Sequence, residues 1–232
     1  MRALLALLFA CSAPARPPIL ENTQLATAPA PTVARGGIYG LTTVGLPAVA
    51  ADGSRIVAAF RESDGQRGMP NLTLVIKDRR DTETDRHVVL SVAEADQFLD
   101  DAEGNNAPLA ARITRANDWL AKRRWELLLV LDPEPTPIPA DRTKASRGGV
   151  TASWERSHLR ITDGVATLVD IDTPASWLPE QSKVGTNVCA RSPYLGGAAI
   201  DRANKLAVIT ISYTADSDFC LEPPDQHHVI TW

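Results

Sequence analysis

Residues 195–232 read LGGAAIDRANKLAVITISYTADSDFCLEPPDQHHVITW, and the period of that stretch decides the fold class. From Leu206 to Tyr213 the side chains alternate. Leu206, Val208, Thr210 and Ser212 fall on one face; Ala207, Ile209, Ile211 and Tyr213 fall on the other. A period of two is that of a strand, and the second set is expected to face the core. Residues 198–201 make its hairpin partner. His227 and His228, being adjacent in a closing strand, must point to opposite faces. His228, Ile230 and Trp232 share a face, so the last residue is expected to pack.

The same period recurs upstream. Strands are expected over 38–44, 47–51, 55–60, 71–78 and 87–90, with Asp52-Gly53 as a hairpin turn. Residues 125–131, WELLLVL, read as a central strand buried on both faces. Residues 150–161 and 165–172 read as two arms of one hairpin across Asp163-Gly164. The basic run 140–149 is expected to be flexible, and the proline run 132–139 extended. The period changes only once. Ser91 and Glu94 form a capping box, and Leu109, Ile113, Ala116 and Leu120 recur at helical spacing. The expected class is therefore α+β, a mainly antiparallel sheet structure with a two-helix insertion at roughly residues 91–124. The segments 50–60 and 200–211 share a rhythm of short strand, Asp-containing turn and longer strand. That rhythm hints at two similar halves.

The chain start carries a different signal. Arg2 precedes the apolar run ALLALLFA at 3–10, too short to span a bilayer and readable as a signal peptide. Its end, Leu8-Phe9-Ala10-Cys11, resembles the lipobox of bacterial lipoproteins. That resemblance implies cleavage before Cys11 and lipidation of its thiol, so that 1–11 is the signal with its lipobox-like end. An ordinary signal cut after Ala13 or Ala15 is the alternative. The proline- and alanine-rich 12–37 is expected to be a disordered tether, and 38–232 a single globular domain. The expected location is exported and lipid-anchored in a bacterial cell envelope, alternatively secreted or periplasmic. The lipid bilayer would be the first partner. In an oxidising compartment the remaining even pair, Cys189 and Cys220, is expected to form a disulfide.

Composition excludes little else. A formal net charge of −4 is wrong for a dedicated nucleic-acid binder, which would present a basic face. The stretch from Pro47 through Asp52-Gly53 to Ile56 resembles one blade of a TolB-type propeller. Five tryptophans stand among few other aromatics. Trp177, between Pro174 and Pro179, is the candidate contact residue; core use is expected for the rest. Asp170 and Asp172 alternate on one strand face and are the candidate carboxylates for acid–base chemistry. The acidic loop around Asp216, Asp218, Glu222 and Asp225 lacks the spacing of a calcium loop. No metal site and no cofactor is expected. The leading expectation is an envelope lipoprotein with a non-enzymatic binding or structural role toward a protein or glycan. The alternatives are a hydrolase of envelope polymer or peptide, and a partial propeller-like element that oligomerises.

Overall fold

The computed structural model of the chain describes residues 30–36, 40–62, 70–99, 107–134, 142–177, 182–184, 187–189, 191–215 and 224–232. Antiparallel strands dominate and two helices interrupt them, the expected α+β class. A first hairpin pairs β1 (Thr32–Arg35) with β2 (Leu41–Val44). Structure thus begins before the expected boundary at 38, because Val33 is an apolar side chain with a core to enter. Next comes an antiparallel meander of β3 (Ala48–Ala50), β4 (Arg55–Phe60), β5 (Leu72–Asp78) and β6 (Glu83–Leu90). Beyond β3 it is extended by β7 (Trp125–Leu127).

Helices α1 (Val92–Leu99) and α2 (Ala107–Ala121) lie between β6 and β7. The capping box forms: the Ser91 backbone N–H and hydroxyl both donate to Glu94 Oε2, at 3.2 and 2.8 Å. Arg112 clamps the same carboxylate from α2 at 2.8 and 3.1 Å. The Arg112 guanidinium, helped by Ser91, holds the Glu94 carboxyl down at about 2. Leu109, Ala116 and Leu120 are buried, as their spacing requires.

The central sheet has the order β18-β17-β16-β8, from β8 (Leu129–Val130), β16 (Arg191–Asp201), β17 (Leu206–Ala215) and β18 (Gln226–Thr231). The third sheet has the order β13-β12-β11-β10-β9, from β9 (Asp132–Pro133), β10 (Arg142–Arg147), β11 (Val150–Glu155), β12 (His158–Asp163) and β13 (Ala166–Asp172). A small hairpin of β14 (Ser182–Val184) and β15 (Asn187–Cys189) stands beside them.

The three large sheets stack face to face. Ala207, Ile209, Ile211 and Tyr213 of β17 pack with Trp154, Leu159, Ile161 and Val169 of the third sheet. Leu206 and Val208 pack the other way, onto Val49 and Ile56 of the first sheet. The outer side of the first sheet is covered by α2 and the first hairpin through Leu72, Leu74, Ile76, Leu109, Leu120 and Val33. Both faces of β17 are therefore buried, where alternation had marked only one. At roughly 25 cal/mol per Å2 of apolar surface, a two-sided middle layer explains why Leu206–Ile209 of β17 is apolar on both faces.

Residues 125–133 are the other departure from expectation. They are not one central strand. Trp125–Leu127 edges the first sheet, Leu129–Val130 the central sheet and Asp132–Pro133 the third. Leu128 and Leu131 fill the gaps between layers, and the Leu131 N–H donates to Ala198 O at 2.9 Å. One nine-residue run thus stitches three sheets. The apolar run 127–131 within it comes from crossing the stack, which looks in sequence like lying within it.

Two turns were also missed. Arg156 and Ser157 have φ of 49° and 71°, so the expected long arm 150–161 is broken into β11 and β12. Neither residue type signals a left-handed turn. Gly148-Gly149, at φ 58° and 82°, turns β10 into β11, so the basic run 140–149 contains a strand. Residues 135–141 lie outside the described residues, and with them most of the proline run.

The expected Cys189–Cys220 disulfide is corrected. Among the described residues no disulfide and no near-disulfide pair is formed. Counting cysteines establishes parity, whereas a bridge also needs Cα atoms within about 7 Å and converging Cβ vectors. Cys189 ends β15 opposite Ser182; Cys11 and Cys220 lie outside the described residues.

Candidate functional site

The C-terminal strand β18 is an edge strand, and its outward backbone groups must find partners. They find them at the end of β5 and on the turn that follows it. Lys77 Nζ donates to His227 O at 2.5 Å, and the Val229 N–H donates to Asp81 Oδ1 at 2.8 Å. Lys77 and Asp81 also pair with each other at 2.8 Å. Two side chains therefore do what a neighbouring strand would do. Asp81 sits at φ 63°, a conformation that Asp tolerates better than most residues. Burial raises the Asp81 pKa, but hydrogen bonds from His228, Lys77 and Val229 outweigh it, and the carboxyl ends below its ordinary range.

The adjacent histidines diverge as expected. His227 turns toward the first sheet. Its Nε2 lies 2.7 Å from Ala59 O, an acceptor only, so Nε2 carries the proton; Nδ1 then accepts from Thr210 Oγ1 at 3.0 Å. Burial pushes its pKa down, consistent with a neutral ring of fixed tautomer. His228 turns the other way. Its Nδ1 donates to Asp81 Oδ2 at 2.7 Å, and its ring stacks on Trp177 at 4.0 Å and 11°.

Beside this clasp, between the first and central sheets, opens a cleft of about 170 Å3. Ile56, Ala58, Phe60 and Val75 make its apolar floor; Lys77, Glu83, Arg86, Gln226 and the two histidines make its polar rim. The carboxylate on that rim is already engaged: both Glu83 oxygens take Arg86 N–H groups at 2.7 Å. Donors are in surplus. An ammonium has three N–H groups and a guanidinium five, and the bonds above engage two of each.

The sequence-chosen residues lie elsewhere. Trp177 is corrected from exposed contact to buried anchor, 7% exposed. It closes a single 3-10 turn, Ala175–Trp177. Tyr213 Oη donates to its carbonyl at 2.8 Å, and burial pushes the phenol up to about 12. Flanking prolines suggest an open loop, whereas the indole joins the core cluster with Trp154 and Tyr213. Asp170 and Asp172 are on the exposed face of the third sheet. They do come together, but around one ring: His158 Nδ1 lies 2.8 Å from Asp172 Oδ1, and Nε2 2.6 Å from Asp170 Oδ1. Carboxylates accept only, so the imidazole carries both protons; Asp172 first and Asp170 second hold its pKa up. Among the described residues no His, Cys, Asp and Glu group is arranged to hold a metal. The missed residues are Lys77 and Asp81. Their only sequence signal is the i, i+4 charge pair within KDRRDTETDR at 77–86.

Comparison with protein-family models, curated proteins and solved structures gives no match.

Proposed function

We propose that the chain is an exported, lipid-anchored envelope protein that binds a small amphiphilic acid without transforming it. The cleft carries this reading, through its surplus of hydrogen-bond donors above an apolar floor. A dry apolar cavity of about 150 Å3 accommodates a benzene-sized group, so 170 Å3 suits one ring or a short alkyl chain with a carboxylate at the rim. The histidines at the rim are anchored to Ala59 O and Asp81, which makes them walls. The hydrolase alternative gains no support from Asp170 and Asp172, since one imidazole takes a carboxylate oxygen from each on an open sheet face. The oligomerising alternative gains none from the stack. One end is covered by α2, and the other presents Arg160, Asp170 and Asp172 rather than an apolar face.

Benzoate titrated into the full chain tests the reading, followed by amide shifts at 226–229. Saturable shifts are expected, weakened in Arg86→Gln, with benzyl alcohol binding less tightly. Absence of saturable shifts with both benzoate and hexanoate would overturn it. For the anchor, mass analysis of the mature chain should find a lipidated Cys11 at its start; an unmodified start at Pro14 or Arg16 refutes it.

A further inference from the structure

A second concavity lies at the other side of the first sheet and shares no residue with the cleft. It is an open groove of about 480 Å3 between the C-terminal end of α2 and the β3–β4 turn, lined by Arg55, Arg123, Arg124 and Asp52. Its two walls are tied together. The Ala51 N–H donates to Arg124 O at 3.0 Å, and Ala50 pairs with Trp125 in the β3–β7 ladder. The arginines are therefore held near one another by the sheet itself.

Like charges brought together repel, and the groove sets three guanidiniums against a single carboxylate. Asp52, the only carboxylate in the lining, turns its Oδ1 back on Ser54, accepting from its N–H at 3.0 Å and its hydroxyl at 2.7 Å. Arg55 Nη1 donates to Thr84 Oγ1 at 2.5 Å, engaging one of five guanidinium donors. Arg123 lies 4.0 Å from Asp85, a loose pair. Among the described residues no side chain partners Arg124. Three guanidinium forks around one open space match the geometry of a phosphate, whose oxygens accept paired N–H groups.

We infer that this groove binds a phosphate group. The phosphate can belong to a soluble phosphorylated compound or to an anionic lipid headgroup. The fold puts the groove close to where the chain start meets the domain. Asn117 on α2 takes the Val33 N–H at 2.8 Å and donates to Val33 O at 3.0 Å. Asn117 is four residues, about 6 Å, from the end of α2 at Ala121, and Arg123 and Arg124 follow two and three residues later. The tether to an N-terminal lipid would join the domain on this side.

Inorganic phosphate titrated into the full chain at fixed ionic strength tests this, read at amides 51–55 and 122–124. Saturable shifts there are expected, with Arg123→Gln and Arg124→Gln each weakening binding about tenfold, the loss of one charge-assisted contact. Arg160→Gln on the third sheet should change nothing. Both groove arginines are exposed, and unchanged thermal unfolding of the variants verifies their fold. Sedimentation with phosphatidylglycerol-containing vesicles, against pure phosphatidylcholine, separates the sources. Vesicle binding lost in Arg124→Gln assigns a lipid headgroup; phosphate shifts without vesicle binding assign a soluble compound. Two outcomes overturn the inference: equal shifts with chloride, or Arg160→Gln weakening binding as much as Arg124→Gln.

Discussion

Replacing Asp81 should loosen the whole C-terminal strand. Its carboxylate receives Lys77 Nζ, the Val229 N–H and His228 Nδ1, at 2.8, 2.8 and 2.7 Å. Removing it leaves two buried donors without partners, the Val229 N–H and the His228 ring N–H. Lys77, 22% exposed, can turn to water and contributes less. An orphaned buried donor costs about 1–3 kcal/mol. Asp81 is itself 21% exposed, so some water enters the vacated space, and the lower part of the summed range applies, about 2–4 kcal/mol. For a chain of this size that corresponds to a fall in Tm of roughly 4–16 °C. Glycine is the right replacement, since alanine at φ 63° adds about 1 kcal/mol of backbone strain. Urea unfolding of Asp81→Gly should show a lower midpoint at unchanged slope, with Asp81→Ala lower still. Acid adds a second reading. The Asp81 carboxyl is depressed below 3.8 in the folded state. Its contribution is therefore present above the unfolded pKa and lost as pH falls through the folded one. Asp81→Asn should flatten that part of the acid limb. An Asp81→Gly midpoint equivalent to within about 0.5 kcal/mol of the parent at neutral pH would make the clasp an ordinary surface pair, and the reasoning would fail.

Other outcomes follow from neighbouring groups. His227 has a folded pKa lowered by burial, so stability should fall as pH drops below about 6.5; His227→Gln should lose that dependence, and an unchanged acid profile would count against the buried neutral ring. Trp177→Ala should cost about 3–5 kcal/mol as a large core truncation, measured by urea unfolding, where a surface contact residue would give less than about 0.5 kcal/mol. Gly53 is at φ 68° with the Asn204 side chain where a Cβ would stand. Gly53→Ala should destabilise by more than about 1 kcal/mol, and the penalty should shrink when Asn204→Gly is added; equal penalties in both backgrounds would refute the contact. NMR titration of His158 should show a midpoint above 6.5 that falls in Asp172→Asn. An unchanged midpoint would sever the carboxylate–imidazole link.

Much of the local structure was legible because it is governed by neighbours in sequence. The capping box at Ser91 and Glu94, the apolar stripe of α2, the Asp52-Gly53 turn and the alternation of β17 are short-range patterns. The opposed histidines followed from strand geometry alone. Where reading failed, the deciding partner was distant. Trp177 sits among prolines, and only the approach of Tyr213 and His228 buries it. The rhythm shared by 50–60 and 200–211 is mirrored by a direct meeting of the two turns, since Arg79 donates to both Gly53 O and Asn204 O.

The sequence by itself thus determined the class of the fold, the helical insertion and the faces of most strands, because hydrophobic period and capping chemistry act over a few residues. Tertiary structure alone decided three things. It made β17 a middle layer with two buried faces. It divided residues 125–133 among three sheets. It secured the C-terminal strand with Lys77 and Asp81. In each case the free energy comes from surfaces and charges about 12 to 150 residues apart, and no local pattern encodes which of them will meet.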